Sequence, residues 1–306
     1  MRGDEPWRGE LRTLMTGEIR FDEPAGSHTS IGVGGRIDAL CFPESEGELV
    51  RLVAFLGARG IPFLPVGNWT NLIVRGGGYR GVLIAMTGLR ALTKSEAAEG
   101  DVTLEAQAGL PLSELVNLSA REALTGLEFC AGIPGSVGGA VRMNAGAYGG
   151  EIKDICLAVH LLDPTEGVRT ETRDGLHFSY RNLDLPAESI IIGAAFHLRR
   201  GEGKEIAGRV REIIALRREK HPLEFPNAGS IFKNPRAVPA GKLVEHAGLK
   251  GMRIGDAQVS EKHGNFIVNR GRATAEDLLG LIDLVQKRVY EATGHTLETE
   301  VRIIGE

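Results

Sequence analysis

The spacing of apolar and polar residues predicts alternating strands and helices in the first part of the chain. The segment "ESEGELVRLVAFLGARG" places apolar residues at helical intervals, and the pair Ser45 and Glu48 has the spacing of a capping box. The short apolar runs "IPFLPVG" (61–67) and "GVLIAM" (81–86) are typical of buried strands. A β-α-β unit is therefore predicted near the start of the chain.

The same rhythm continues towards the middle of the sequence. "DVTLEAQAG" alternates Val102, Leu104 and Ala106 as a half-buried strand does, and "PLSELVNLSAREALTG" has helical spacing up to Gly126. From 152 to about 199 three strand-like runs follow one another between turn residues, which predicts a meander.

The last third begins with a helical pattern, "GKEIAGRVREIIALRREK", and we place a domain boundary near residue 204. A second long helix, "TAEDLLGLIDLVQKRVYEATG", has a start signal at Thr274 and Asp277 and a stop signal at Gly294, and the strand "EVRII" follows it. Residues 205–306 are therefore predicted to form a separate α+β unit.

Composition and charge exclude several classes of function. The 306 residues suggest two or three domains, and 40 acidic against 36 basic residues give a net charge of −4. Such a balance gives no bulk attraction to nucleic acid or anionic lipid, so neither is an expected partner. We find no signal-peptide pattern and no apolar run of membrane-spanning length, and we expect a cytoplasmic protein. Three cysteines without C-x-x-C spacing and eight scattered histidines indicate neither a disulfide framework nor a metal site.

Glycine is abundant, with 42 residues, and two glycine-rich segments raise the question of a cofactor. "GGGYRG" (76–81) fits the dinucleotide fingerprint as a string, but a strand rather than a helix should follow it, so the match is interpreted as accidental. "GIPGSVGGAVRMNAGAYGGE" (132–151) could expose backbone N–H groups to an anion such as a pyrophosphate. On composition alone, an irregular turn between strands explains this segment equally well.

A third segment, "NAGSIFKNP" (227–235), combines Ser230 with Lys233 and Asn234 but has no histidine or acid close in sequence. A nucleophilic serine needs such a partner, so this pattern alone does not assign Ser230 a role. For an isolated serine, a hydrogen bond to a turn is the better interpretation.

Five segments in the same order resemble the UDP-N-acetylenolpyruvoylglucosamine reductase family, flavoenzymes of early peptidoglycan synthesis. They are "PVGNWTNLIV", "AGIPGSVGGAVRMNAGAYGGE", "FSYRNLDL", "NAGSIFKNP" and "LETEVRIIG", and the resemblance extends from about His28 to Gly305. The segment between "YRN" and the strand at Ser189 is brief, so the chain resembles the shorter type of the family, which lacks an inserted substrate loop.

The resemblance implies an α+β protein with an FAD-binding part of the vanillyl-alcohol-oxidase type and a C-terminal substrate-binding domain. We predict an N-terminal extension (1–27), two FAD-binding subdomains (28–95 and 96–204) and a UDP-sugar domain (205–306). The implied cofactor is noncovalent FAD with NADPH as reductant, the implied substrate is UDP-N-acetylglucosamine enolpyruvate, and a monomer is expected.

The resemblance also assigns residues. Arg181, Ser230 and Glu300 are the implied catalytic residues: Arg181 faces the substrate carboxylate, Ser230 gives a proton to carbon, and Glu300 helps in a protonated or hydrogen-bond-donating form. Tyr180, Lys220 and Asn234 are implied substrate contacts. The implied FAD contacts are Gly67, Asn68, Thr70, Asn71, Gly132, Ile133, Pro134, Gly135, Ser136, Gly138, Gly139, Asn144 and Gly146.

Without the family register, plainer roles compete with these assignments. Arg181 is then a surface ion-pair residue, Glu300 a strand-edge charge, Lys220 a solvated charge and Asn234 a turn former. Loss of one of the three catalytic residues would favour a noncatalytic FAD- or UDP-sugar-binding relative, but all three are present.

Two further alternatives concern the flavin. An oxidase of the same flavin fold would need a substrate-binding cap of different sequence. The presence of "NAGSIFKNP" argues against an oxidase. His28 could suggest a covalent flavin link, but the family binds FAD noncovalently.

Two positions depart from the family pattern. The first cofactor loop usually reads G-G-G-S-N, whereas here Trp69 stands in a glycine position and Thr70 keeps the hydroxyl, so the resemblance does not define the local path of this loop. Leu183 stands where the family has a serine two places after the arginine, which removes a hydroxyl there and leaves the assignment of Arg181 unchanged.

Overall fold

The computed structural model describes residues 6–96, 100–186, 188–236 and 238–306. The first five residues of the predicted N-terminal extension lie outside these ranges. Seven α-helices are found in the described residues: α1 Pro6–Leu14, α2 Glu46–Ala58, α3 Leu112–Arg121, α4 Val137–Arg142, α5 Gly203–Lys220, α6 Ala240–His246 and α7 Ala275–Thr293.

The strands of the described residues form small and medium-sized sheets. In chain order they are β1 Ile19–Pro24, β2 Arg36–Cys41, β3 Phe63–Val66, β4 Leu72–Val74, β5 Tyr79–Ala85, β6 Leu92–Glu96, β7 Asp101–Gln107, β8 Leu124–Thr125, β9 Gly146–Ala147, β10 Gly150–Glu151, β11 Cys156–Asp163, β12 Gly167–Thr172, β13 His177–Ser179, β14 Asn182–Asp184, β15 Ile190–Arg200, β16 Asn227–Ser230, β17 Arg253–Ile254, β18 Ala257–Val259, β19 Phe266–Asn269 and β20 Arg302–Ile304.

The chain divides into two compact units, and each collects segments that are distant in sequence. Unit 1 contains residues 1–21, 39–68 and 81–214, and unit 2 contains residues 22–38, 69–80 and 215–306. Since both units are discontinuous, they do not test the linear boundaries at residues 28, 96 and 205, which stay predictions.

A six-stranded sheet is the largest element of unit 1. Its order is β12-β11-β15-β7-β6, with β8 also paired to β15. β7 has the predicted alternation, because Val102, Leu104 and Ala106 are buried and the residues between them are not. The central strand β15 is apolar and buried over most of its length, as expected for a strand with neighbours on both edges. Helix α4 packs against β15 and β7.

Two predictions in this region are wrong in detail. The strands after residue 152 do not form a meander, because β11 rather than β12 pairs with β15, and β12 alternates half-buried and exposed residues as an edge strand. Helix α3 ends at Arg121 rather than continuing to Gly126, since Ala123 has a left-handed backbone (φ 55°) and β8 follows.

A four-stranded sheet in the order β1-β2-β5-β3 confirms the strands predicted around α2. Helix α2 lies between β2 and β3 in sequence, and in the sheet β3 pairs in parallel with β5. The "GGGYRG" string is indeed followed by a strand, β5, which confirms that it is not a dinucleotide fingerprint.

Unit 2 combines an antiparallel sheet, β16-β19-β18-β17, with the parallel pair β4 and β20. Helix α7 begins with the predicted reciprocal capping box of Thr274 and Asp277, and it ends at Gly294 in the left-handed conformation. Buried residues of α6 and α7 contact the buried face of the sheet, including Val259 and Ile267. This core is separate from that of unit 1.

Glu48 in α2 has a different role from the one its spacing suggests. Ser45 caps the helix by accepting from the Glu48 backbone N–H, but the Glu48 carboxylate does not complete a capping box. It is 1% exposed and accepts from the backbone N–H groups of Thr16, Gly17 and Glu44 and from the Thr16 hydroxyl. Burial alone would raise the pKa of Glu48, but these donors outweigh it and hold the pKa below its ordinary value.

We predict that Glu48→Gln destabilises the protein by about 2–3 kcal/mol at pH 7, since a buried acceptor for several N–H groups is lost. The pKa of Glu48 is lower in the folded than in the unfolded state, so its contribution is complete above the unfolded pKa of about 4.3 and disappears as pH falls through the folded value. Urea unfolding from pH 7 to pH 3 should therefore show the two proteins converging. Glu46→Gln, on the exposed side of the same helix, is the control, and an equal effect of both changes would contradict the prediction.

Candidate functional site

The glycine-rich segment 132–151 surrounds the short helix α4 in unit 1. Gly132 (φ 71°) and Gly135 (φ 139°) adopt backbone conformations that favour glycine. A Cβ on Gly138 would lie 2.8 Å from that of Ala108, and a Cβ on Gly150 would lie 2.7 Å from the Phe129 ring. Several of these glycines are thus required by close packing.

The first predicted cofactor loop meets this segment within unit 1. A Cβ on Gly67 would collide with the hydroxyl of Ser136, which is itself buried. Glycine at position 67 therefore permits the close approach of two loops in which the family resemblance implies FAD contacts.

The backbone donors of the segment are only partly available to an anion. The N–H of Ile133 donates to Cys130 O, that of Val137 to Leu110 O (2.9 Å) and that of Gly138 to Ala108 O (2.9 Å). Ile133 and Gly138 stay predicted FAD contacts, but not through these N–H groups. Gly132, Pro134 and Gly139 are exposed, so the edge of the segment is open to a ligand. The segment fits a diphosphate-bearing cofactor along this edge.

Asn144 connects the glycine-rich segment to the arginine hairpin. Its side chain is fully buried and its backbone is left-handed (φ 40°). Its Nδ2 donates to Glu151 Oε2 and to Ser179 O, both at 3.0 Å, and its Oδ1 accepts from the Lys153 N–H. The amide nitrogen donates two hydrogen bonds and the oxygen accepts one, all with residues of unit 1. The position of the Asn144 side chain is therefore fixed.

Arg181 lies in the two-residue loop of the hairpin β13–β14. Ser179 and Asn182 pair across the hairpin, and Arg181 has a left-handed backbone (φ 57°). The guanidinium of Arg142 donates to Leu183 O at 3.1 Å, so α4 holds the second strand of the hairpin. Leu183, the departure from the family serine, is fully buried and packs in the core.

The Arg181 guanidinium interacts with a ring and a carboxylate of unit 1. Its guanidinium carbon lies 5.1 Å from the centre of the exposed Tyr180 ring. The pKa of Glu151 is held below its ordinary value, first by the Lys153 ammonium, then by the Asn144 amide, with a further contribution from Arg181. A planar cation and an aromatic ring therefore stand together at the tip of this hairpin.

Ser230 ends strand β16 in unit 2. It pairs with Phe266 of β19, and Gly229 before it has φ 73° at an irregularity of the pairing. The N–H of Ile231, the residue after Ser230, donates to the carbonyl of Asn265, the residue before β19. Ser230 is half-buried at a rigidly held strand end.

Asn265 is a residue that sequence reasoning missed. It is 3% exposed, its Oδ1 accepts from the Phe232 N–H at 2.9 Å, and its Nδ2 donates to Phe232 O at 2.8 Å. The Asn265 amide thus pairs with the Phe232 backbone as a neighbouring strand would, and this fixes the segment after Ser230. Its sequence context, "KHGNFIVN", gives no signal of this role, because the partner lies 33 residues away.

Glu300 and Asn71 lie next to the Ser230 segment in the same unit. The Glu300 N–H donates to Ile231 O at 2.8 Å, and Asn71 Nδ2 donates to Glu300 O at 3.1 Å. The Arg302 N–H in turn donates to Asn71 O. Hydrogen bonds thus connect the predicted FAD contact Asn71, the backbone of Glu300 and the backbone of Ile231, the residue after Ser230.

The remaining predicted residues are distributed between the units. Asn68 and Gly146 lie in unit 1, and Thr70 lies in unit 2. Lys220 is the exposed last residue of α5, and Asn234 is exposed with its Oδ1 accepting from Ala240 N–H at the start of α6. That bond gives Asn234 a structural role besides its predicted substrate contact.

His28, the alternative flavin attachment point, is hydrogen-bonded within unit 2. Its Nε2 lies 2.7 Å from Glu23 Oε1, and its ring centre lies 5.3 Å from that of Trp69. In the described ranges there is no cluster of three histidine, cysteine or acidic side chains suited to a metal ion. No helix in the same ranges is long and apolar enough to cross a membrane.

We predict that Asn144→Ala lowers the free energy of unfolding by about 2–4 kcal/mol, because three buried hydrogen bonds are lost and alanine resists a left-handed backbone. FAD affinity should fall with it. Denaturant unfolding and FAD titration measure the two effects. Asn182→Ala, at an exposed position of the same hairpin, should change neither. Equal stability of both variants would contradict the role assigned to Asn144.

Two family models match the chain in the predicted order. A model described as "FAD binding domain" matches residues 37–172, and one described as "UDP-N-acetylenolpyruvoylglucosamine reductase, C-terminal domain" matches residues 221–304. These matches confirm the α+β class with an FAD-binding part and a C-terminal domain, and they confirm FAD as the cofactor.

Relatives over nearly the full length carry the same name. UDP-N-acetylenolpyruvoylglucosamine reductase of Syntrophus aciditrophicus is 53% identical over 97% of this chain and 95% of its own length. That of Caldanaerobacter subterraneus is 44% identical over 96% of both chains. A crystal structure of UDP-N-acetylenolpyruvylglucosamine reductase from Thermus caldophilus is 34% identical, covers 95% of this chain and 100% of its own, and has a TM-score of 0.79. The chain therefore belongs to the UDP-N-acetylenolpyruvoylglucosamine reductase family, in its shorter type.

Proposed function

We propose that this protein reduces the enolpyruvyl group of UDP-N-acetylglucosamine enolpyruvate to the lactyl ether, giving UDP-N-acetylmuramate for peptidoglycan synthesis. NADPH is the reductant and noncovalent FAD the cofactor. The match to an FAD-binding domain and the names of near-full-length relatives support this function.

One observation carries the assignment of residues. The Glu300 N–H is bonded to the carbonyl of Ile231, the residue after Ser230, and Asn71 is bonded to Glu300 O. These bonds fix the backbone that carries Ser230 and Glu300, together with the candidate FAD contact Asn71, within unit 2. Such mutual fixing is what a reaction that needs proton delivery to one carbon demands.

When bound, FAD reduced by NADPH would supply the hydride for the enolpyruvyl group. The residues of this chain would then have to stabilise the negative charge on the substrate carboxylate and the adjacent carbon. Arg181 is the proposed partner of that carboxylate, since its planar guanidinium suits bidentate binding. A fixed donor of this kind lowers a barrier by roughly 3 kcal/mol.

Ser230 is the proposed proton donor to carbon. A hydroxyl serves as a general acid only when its position is fixed, and the bonds that follow Ser230 to Asn265 and Glu300 hold the strand end in place. Glu300 then acts in its protonated or hydrogen-bond-donating form beside the developing charge.

The remaining proposed roles are in ligand binding. Gly67, Asn68, Thr70 and Asn71, with the edge of segment 132–146, hold FAD, while Tyr180, Lys220 and Asn234 contact the UDP-sugar. Noncovalent binding of FAD is proposed from the family resemblance. A cytoplasmic monomer remains part of the proposal.

We expect Arg181→Ala to lower the rate of flavin reoxidation by substrate by roughly 10²-fold or more, since it removes a charge partner of the carboxylate. Flavin reduction by NADPH should stay near the parent rate. Arg181→Lys should recover only part of the loss, because an ammonium lacks the planar fork. Stopped-flow absorbance of both half-reactions measures this, and parent-like reoxidation in the alanine variant would refute the assignment.

Ser230→Ala gives the central test of the function. If Ser230 delivers the proton, the variant should bind FAD and be reduced by NADPH normally but reoxidise at least ~10²-fold more slowly. Ser230→Cys should recover part of the rate, since a thiol can still donate a proton.

A merely structural Ser230 would give a different pattern. Thermal stability and FAD binding would fall, and both half-reactions would suffer alike. Parent-like reoxidation in the alanine variant would refute the donor role. A parent protein that is colourless and takes up no added FAD would refute the proposed function as a whole.

A further inference from the structure

Trp69 has a backbone conformation that is unusual for its side chain. Its φ is 54°, in the left-handed region, which glycine adopts without steric cost and bulky residues rarely adopt. Such an outlier persists only where surrounding contacts over-determine it, and it is a reason to ask what the turn does.

The contacts that hold Trp69 come from one short segment of unit 2. The indole is 8% exposed, and the His28 ring lies 5.3 Å away at an interplanar angle of 31°. Glu23 fixes the His28 ring through the 2.7 Å contact to Nε2. The Trp69 carbonyl accepts from the Ser30 N–H at 3.2 Å. Ring and backbone of Trp69 are therefore both anchored to residues 23–30.

The turn continues directly into two predicted FAD contacts. Thr70 and Asn71 follow Trp69, and Asn71 donates to Glu300 O at 3.1 Å while accepting from the Arg302 N–H at 3.0 Å. The direction in which residues 70 and 71 leave the turn depends on the φ of Trp69. The same turn thus sets the position of the cofactor contacts and of the Glu300 backbone.

We propose that Trp69 is a positioning residue: its ring, packed beside His28, holds the Trp69 backbone in the left-handed conformation, and this directs the following Thr70 and Asn71 towards FAD. The ring does through packing what glycine would do through conformational freedom. The inference deepens the proposed function and rests on it for FAD as the ligand.

Three substitutions separate the ring from the backbone. Trp69→Phe keeps an aromatic ring, Trp69→Gly keeps access to the left-handed backbone, and Trp69→Ala keeps neither. Apoprotein of each is titrated with FAD, and the quenching of flavin fluorescence gives the Kd. We expect the phenylalanine and glycine variants to bind within about threefold of the parent and the alanine variant about tenfold more weakly. Trp7→Phe, in α1 of unit 1, is the control and should bind like the parent.

The Kd of the Trp69→Gly variant relative to that of the Trp69→Ala variant decides the outcome. A structural role of the indole as core filler predicts that glycine, the smaller residue, is at least as harmful as alanine, and that result would overturn the proposal. His28→Phe against His28→Ala provides a second comparison with Trp69 intact, and it replaces the first if Trp69→Ala does not fold. The His28→Phe variant should bind FAD like the parent, and the His28→Ala variant should bind it more weakly. Equal Kd values of these two variants would overturn the proposal.

The same titration separates this inference from the proposed function. A parent that binds no FAD refutes the function, and the inference with it. A parent that binds FAD, together with an alanine variant equal to glycine, refutes the inference alone.

Discussion

Left-handed backbone at residues other than glycine is the constraint on which the candidate site depends. Among the described residues six non-glycine residues have positive φ, and four of them lie in the segments assigned to cofactor and substrate: Trp69, Asn144, Tyr148 and Arg181. Each such residue costs about 1–3 kcal/mol, so local contacts must offset the cost. Asn144 does so with three buried hydrogen bonds, and Trp69 with a buried ring. Strain is concentrated where the chain has to present side chains accurately.

Amide side chains connect the segments of each unit. In unit 1 Asn144 joins the glycine-rich segment to the hairpin of Arg181. In unit 2 the Asn265 side chain bonds the backbone of Phe232, which follows the strand end of Ser230, and the Asn71 side chain bonds the Glu300 carbonyl. An amide carries donors and an acceptor, so it can continue a backbone ladder where the strand itself has ended. These bonds explain how short, irregular segments hold fixed positions without long strands.

Much of the fold follows from the sequence, because local signals and tertiary packing agree there. The capping box of α7, its stop at Gly294 and the alternation of β7 are examples. The pairing of β15 with β11 could not be predicted, since sheet order depends on contacts between distant residues. The buried role of Glu48 was missed for the same reason: its partners Thr16 and Gly17 lie more than a helix length away in sequence.

The candidate site shows the same division. The family resemblance indicated Ser230, Arg181 and Glu300, but no local pattern indicated Asn265, whose partner is Phe232. The resemblance also left the path at Trp69 undefined, and there the structure supplies the answer: the tryptophan adopts a conformation suited to glycine. At this departure from the family pattern, contacts of the tryptophan ring and backbone hold a conformation that glycine adopts without steric cost.

The glycine-rich segment illustrates why composition alone left two interpretations open. Gly138 and Gly150 are explained by packing, since a Cβ on either would meet Ala108 or the Phe129 ring too closely. Gly139 is different, because it is exposed and a Cβ there would meet only the Ser136 hydroxyl at an ordinary 3.7 Å. The fold therefore requires some of these glycines and leaves others unexplained. Packing thus supports the turn interpretation for Gly138 and Gly150, while contact with a cofactor along the exposed edge stays a prediction for residues such as Gly139.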